Sequence, residues 1–401
     1  MIASRGRTAL RSNARRDSYD VLVIGGGAHG LATAYYLAEN HGVRDVAVLE
    51  RSYIGSGGSG RNTTVLRANY KTPETIAFFK RSIDLYQGLS EQLEYHTLMS
   101  ERGLLWLAHS RREVRLQQER AQLNRLLGVE TDFVDADEVS RRCPVLDMSG
   151  GGHHPILGAS WHPAGSVIRH DAVVWGYAAA AQRLGVHVHE GTPVQRVLVE
   201  NGRCVGVETD GGTIRAGKVV LALGGYVSAL ARSAGVVLPI VTHPLQAFVT
   251  ETYAPLLDRL LTSADLLVYI SQTSRGEMLV GAEIERYPST STRSTYHFLA
   301  GSAARCIDLI PAMARMRVRR AWTGLCDMTP DYSPIMGETG VDGLYLTSGW
   351  GTWGFKAVPV GGWTMADLVA TGRTPDLIAP FALDRFERGR LVAERSSAGT
   401  H

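Results

Sequence analysis

The chain has 401 residues, 44% hydrophobic and 20% charged, with 44 glycines and a formal net charge of +3. That length allows two lobes around sizeable cores, the near balance of charge argues against a nucleic-acid partner, and no apolar run approaches the ~20 residues of a membrane span. Cys143, Cys204, Cys306 and Cys326 are scattered without a CxxC pair, which leaves neither a zinc ribbon nor a disulfide framework, and no metal site is expected.

Residues 1–18 carry five arginines but no apolar core of a signal peptide, so they read as a basic N-terminal arm on a cytoplasmic protein. Val21–Ile24 is wholly apolar and mostly β-branched, the pattern of a strand buried on both faces of a parallel sheet. Gly25-x-Gly27-x-x-Gly30 follows at once, Leu31–Ala38 reads as a helix, and a second buried strand, Val46–Leu49, ends in Glu50, twenty residues past Gly30. A lone GxGxxG says little; with strand, helix and terminal acid in place it marks a dinucleotide site. Gly25 permits the tight turn, Gly27 lets the backbone approach a pyrophosphate, and Gly30 lets helix and strand pack closely. The helix N-terminus at Ala28 and His29 offers unpaired N–H groups to phosphate, with His29 a steric feature there rather than a catalyst. Glu50 is placed to accept ribose hydroxyls. Up to this point FAD and NAD fit equally.

After Arg51 comes a loop dense in Gly, Ser and Thr, read as lying under the cofactor, with Gly58, Arg61, Asn62, Thr63, Thr64 and Val65 as contacts and Arg67 just beyond. The pattern then predicts a helix over 75–93, a strand over 103–108, and a helix over 111–127 whose charges form a solvated face. A short helix halted by Pro144 follows. Residues 162–181 read as loop then helix, with strands at 186–189 and 191–197, a hairpin across Asp210-Gly-Gly, and a buried strand over 218–225; Val194 and Gly224 face the cofactor. Strands at 246–250, 267–270 and 277–282 and a helix over 294–306 form a second excursion. Strand 344–347, the segment Gly349–Lys356 and helix 360–371 close the chain, placing Gly351, Thr352, Gly354, Phe355 and Lys356 against the flavin.

The fold class is therefore α/β plus α+β: a discontinuous Rossmann-type FAD-binding domain over 19–95, 151–235 and 323–385, with a mixed-sheet substrate and oligomerisation domain over 96–150 and 236–322 and a C-terminal tail over 386–401. A nucleotide domain in three pieces with mixed insertions does not suit an NAD dehydrogenase. It suits flavoenzymes that hold FAD extended along the first domain.

The succession GGGAHG, GSGRNTTVLRANY, RHDAVVWGYA, HPLQA, PDYSPIMG and GWGTWGFKA covers nearly the whole chain and resembles the β subunits of heterotetrameric sarcosine oxidases, within the D-amino-acid-oxidase-like FAD amine oxidoreductases. The resemblance implies non-covalent FAD, a covalent FMN and further subunits α, γ and δ, with tetrahydrofolate and NAD held on α. The implied reaction is oxidative demethylation of sarcosine to glycine, with formaldehyde or 5,10-methylenetetrahydrofolate as one-carbon product and oxygen reduced to hydrogen peroxide. A related subunit oxidising proline or another N-alkyl amino acid is the alternative.

Arg67 and Lys356 match the family's carboxylate-binding arginine and lysine, and an amino-acid anion beside a flavin needs fixed positive charge. Only four residues are lysine, at 71, 80, 218 and 356, so a lysine kept at 356 points to a need for its compact charge. His170 in RHDAV matches the histidine bonded to FMN, with Arg169 and Asp171 placed to assist attachment. Simpler family members use a lysine near FAD for oxygen; strand 277–282 holds none, which agrees with oxygen reacting elsewhere. Trp353 departs from the small residue expected there and leaves the exact substrate open.

Overall fold

The computed structural model describes residues 10–11 and 13–394; most of the basic arm, and residues 395–401 of the tail, lie outside the described residues. Its first sheet runs Val194–Glu200, Arg203–Thr209, Gly212–Leu221, Ser18–Ile24, Val46–Leu49, His187–His189, and Leu344–Ser348 branches off Gly212–Leu221 with Ile335–Glu338 beside it. The central pairings of Ser18–Ile24 are parallel. Its alternating residues explain the unbroken apolar run: Leu22 and Ile24 enter one core cluster, Val21 and Val23 another. Helix Ala28–His41 covers one face, crossing Val358–Thr371 and His170–Arg183. The crossing is close because a Cβ on Gly362 would sit 2.5 Å from that of Ala32.

A second sheet of eight strands runs Val318–Met328, Val241–Thr252, Glu277–Ile284, Val268–Gln272, Leu260–Ser263, Leu104–Ala108, Gly158–His162, Asp132–Asp135. A third, small sheet pairs Val65–Leu66 and Ser100–Glu101 with Ser166–Val167. Its strands are antiparallel, so the chain leaves towards Arg67 on one strand and towards His170 on the other in opposite directions.

Several sequence expectations need correction. Sheet membership places Gly158–His162 in the second sheet, so its share of the chain runs past 150, and Val318–Met328 carries that sheet across 323 without a break. The helix expected over 75–93 is Pro73–Gln87, capped by the Thr72 side chain and interrupted at Gly88 before Leu89–Gln92. The charges of Arg111–Leu126 are not all solvated. Glu113, Gln117, Arg120 and Asn124 form a buried stripe at helical spacing. The stripe is tolerated because its members bond one another, Gln117 to Glu113 at 3.1 Å and Arg120 to Gln117 at 3.1 Å, while Arg120 lies 3.9 Å over the Trp106 ring.

The described part of the arm is tied to the first sheet, Arg16 to Asp45 and Arg15 to the Gly211 carbonyl. The described part of the tail is tied too: Val392 donates its N–H to Asp331 at 3.1 Å and accepts from Ser333 at 2.6 Å. All four cysteines are buried and free. Among the described residues no helix is long and apolar enough to cross a membrane.

Asp331 and Arg385 are the most deeply buried ion pair, with side chains 0% and 3% exposed and two parallel bonds of 2.8 and 2.9 Å. Removing one partner strands the other charge away from water. Arg385→Ala is expected to cost about 3–5 kcal/mol, read as a fall of several degrees in Tm by thermal unfolding of the FAD-loaded protein.

Candidate functional site

A cavity of ≈ 650 Å³ is lined from both large sheets. Its wall includes Gly25, Gly27, His29, Glu50, Arg51, Gly58, Arg61, Asn62, Thr63, Thr64, Val65, Val194, Gly224, Gly351, Thr352, Gly354, Phe355 and Lys356, together with Arg67. Three expected residues are not on that wall. Ala28 is fully buried and gives its N–H to Ser59 at 2.9 Å. Gly30 acts through packing: a Cβ there would lie 2.1 Å from the Gly25 carbonyl oxygen. His170 is the third.

The glycine turn opens onto the cavity. Gly25 has φ +113°, and a Cβ would lie 2.4 Å from the Ala222 carbonyl oxygen, so only glycine fits. Gly27, without a side chain, caps helix Ala28–His41; Ser59 takes the Ala28 N–H, and the positive end of this fourteen-residue helix lies at the cavity wall beside Gly27 and His29. Glu50, 8% exposed, accepts from the Gly26 N–H at 2.8 Å through one oxygen and from the Ser52 N–H at 2.9 Å through the other. It braces the turn and keeps acceptor capacity towards the cavity. Arg51 stacks 3.9 Å over the ring of Tyr226, also on the wall. Glycine turn at a helix N-terminus, acid and flat guanidinium–phenol platform in one cleft suit a dinucleotide. Tyr226 was not singled out because nothing marks a tyrosine after a strand until the fold carries it back.

The loop 51–64 is braced rather than slack. Arg61 bonds the carbonyls of Ser56 and Gly57, and Asn62 accepts from the Thr64 N–H at 2.7 Å. Thr64 adopts a left-handed φ of +63°, a strained conformation for a β-branched residue that these contacts hold. On its other side the loop packs against helix His170–Arg183.

The C-terminal glycine segment meets the first turn directly. His29 bonds the Gly354 carbonyl at 2.7 Å and stacks on Trp350 at 4.1 Å. A carbonyl only accepts, so Nε2 carries the proton, and burial holds the imidazole neutral, with its pKa pushed down to about 4. Asp327 accepts the N–H groups of Gly349 at 2.6 Å and Gly351 at 3.2 Å, which shapes the same segment; burial raises its pKa to about 6. Asp327 went unnoticed because it ends a strand whose partner glycines lie more than twenty residues on.

Arg67 is 4% exposed, bonded to Asn69 at 2.7 Å, and stacked against Tyr70 at 4.1 Å and Trp106 at 4.8 Å. Lys356 Nζ donates to the Thr352 carbonyl at 3.2 Å. Burial, reinforced by the charge of Arg67, pushes the Lys356 pKa down to about 7. The two residues therefore line one cavity. Trp353, 2% exposed, is also on the wall and packs edge-on against Tyr70 at 5.5 Å.

His170 opens helix His170–Arg183, behind the braced loop. Burial lowers its pKa, and the adjacent Arg169–Asp171 pair flanks it. A neutral imidazole suits attack on an electron-poor ring.

Acetate, an anion without an amine, reports on this pair. Lys356 is charged below about pH 7 and loses its proton above it. Acetate affinity for the FAD-loaded protein should fall as pH rises through 7, by up to about tenfold per unit. Lys356→Met should flatten that dependence and weaken binding at pH 6 by roughly tenfold, the scale of one charge-assisted bond; flavin absorbance titrations measure both.

Comparison with known proteins agrees with this geometry. The family described as FAD dependent oxidoreductase matches residues 20–368. Sarcosine oxidase subunit beta of Arthrobacter sp is 40% identical over 96% of this chain and 95% of its own length. The subunit of the same name from Rhodobacter capsulatus is 41% identical over 95% and 92%. The L-proline dehydrogenase structure from P. horikoshii superposes with a TM-score of 0.89 at 28% identity, covering 94% of this chain and all of that one. With the glycine turn, the acid and the C-terminal segment around one cleft, this chain belongs to the family of FAD-dependent oxidoreductases of the D-amino-acid-oxidase type.

Proposed function

We propose that this chain is the β subunit of a sarcosine oxidase, carrying out oxidative demethylation of sarcosine to glycine with release of a one-carbon unit as formaldehyde or 5,10-methylenetetrahydrofolate. The observation that carries the reading is the pair of cations, buried Arg67 and part-buried Lys356, on the wall of the FAD cleft. FAD would be held by the Gly25–Gly30 turn, Glu50, the loop 51–65 and the segment 351–356, and a covalent FMN by His170. When bound, the flavins supply the two-electron oxidation of the N-methyl carbon and the onward delivery of electrons to oxygen as hydrogen peroxide.

The protein's own share is binding and orientation. Arg67 holds the substrate carboxylate, and Lys356 adds a second contact that fixes which way the amine points. Two nearby positive charges disfavour an ammonium, so the substrate nitrogen is held as the neutral amine that oxidation requires. Trp353, Tyr70 and Trp106 keep water from the pair and so strengthen it.

The placement of His170 supports a second flavin outside the first cleft, because the braced loop separates the two. The helix it opens carries the exposed Trp175, and the segment packed along that helix exposes Tyr95 and Leu98. An apolar rim of that kind suits cover by a partner subunit, here α, with γ and δ completing the assembly. The likeness to L-proline dehydrogenase, and the bulk of Trp353, favour a second reading: a cyclic or larger N-alkyl amino acid as substrate.

Two measurements decide. Protein made with its partner subunits and denatured should retain one FMN mass on the peptide containing His170; an unmodified peptide overturns the second cofactor. A steady-state panel of sarcosine, L-proline and N-methylglutamate with peroxide detection should show sarcosine preferred, and Arg67→Ala should lower kcat/KM by about 10²-fold or more. Preference for proline would select the second reading.

A further inference from the structure

The short stretch from Arg67 to Thr72 links the anion-binding arginine to the start of helix Pro73–Gln87. It is not a regular element, so its shape depends on what holds it. Arg67 folds back to bond the Asn69 carbonyl at 2.7 Å, and Tyr70 N–H reaches the Ala68 carbonyl at 3.0 Å. Three side chains from distant parts of the sequence pin this strap. His162 Nε2 lies 3.2 Å from the Ala68 N–H, and Asn124 donates to the Tyr70 carbonyl at 2.7 Å. The third is Glu394, within the segment that the sequence reads only as a tail.

Glu394 is fully buried at 0% exposed. One of its oxygens accepts the N–H of Lys71 at 2.8 Å, the N–H of Thr72 at 3.0 Å and the hydroxyl of Thr75 at 2.7 Å. Its backbone is itself anchored, with its N–H on the Asp331 carbonyl at 3.1 Å, beside the buried Asp331–Arg385 pair. A buried carboxylate must be compensated by the protein, and here the three donors on one oxygen and the nearby charges of Arg67, Lys71 and Arg120 do so. A carboxylate whose only duty were to fasten the tail could do so at the surface. This one is spent on the backbone that carries the substrate arginine.

We propose that Glu394 is a positioning residue for the substrate site: by holding the N–H groups of Lys71 and Thr72 it fixes the far end of the strap whose near end carries Arg67. The C-terminal segment is then a working part of anion binding rather than a tail. The proposal rests on Arg67 being the carboxylate clamp, and the experiment separates the two. Acetate is titrated into FAD-loaded Glu394→Ala, Glu394→Gln and Arg67→Ala proteins, with bound FAD measured in each. Glu394→Ala should weaken acetate binding at least fivefold while FAD stays bound. Glu394→Gln, which keeps a carbonyl acceptor in the same place, should stay within twofold of the parent. A merely structural latch would lower Tm in Glu394→Ala without moving acetate affinity. Parent-like affinity in Glu394→Ala, or an equal loss in Glu394→Gln, overturns the proposal while a loss in Arg67→Ala keeps the clamp. Unchanged binding in Arg67→Ala overturns both.

Discussion

The constraint on which this site depends is the placing of two like charges, buried Arg67 and part-buried Lys356, at one cavity. Arg67 and Lys356 repel each other in a medium that screens poorly, which lowers the pKa of Lys356. The structure tolerates them by softer means. The faces of Tyr70 and Trp106 cover Arg67, carbonyl oxygens take the N–H groups, and Lys356 relaxes part of the strain by binding its proton weakly. Under the proposed function, a substrate carboxylate would relieve what remains. Ligand affinity of this kind is stored as native-state discomfort, which is why the surrounding shell is so heavily pinned.

That shell is assembled from remote parts. The glycine turn near the start of the chain meets Gly354 through His29, and Asp327 sets the backbone of the segment that Gly354 belongs to. The loop 51–64 is held by its own arginine and asparagine and divides the FAD cleft from the helix of His170. The proposed second flavin on His170 would then lie across that braced loop from the first.

The nucleotide half of the fold was legible in the sequence because its determinants are local. A strand buried on both faces shows as an apolar run, a turn that excludes Cβ shows as glycine, and an acid ends the next strand. The substrate half was less legible. Strand Gly158–His162 belongs wholly to the second sheet, and the buried stripe of Arg111–Leu126 carries Glu113 and Arg120, residue types that pattern reading sends to solvent. Asp327 and Glu394 matter through backbone partners far along the chain and Tyr226 through the Arg51 side chain, and no spacing announces such partners. Arg67, Lys356 and His170 were found through family likeness rather than through local chemistry, since an arginine after a loop carries no mark of its own.

The bond between His29 and Gly354 has a consequence for how the protein is made. It joins positions 325 residues apart, and Glu394 extends the closure almost to the chain's end. While a ribosome is still translating the last stretch, the cleft lacks one wall and the strap lacks one pin. The first domain's parallel sheet also needs Leu344–Ser348 on its edge, so it too stays unfinished. Flavin capture therefore waits on residues as late as Gly354 and Glu394, and a chain cut short of them would leave the glycine turn facing water with nothing to close the far end of the cleft.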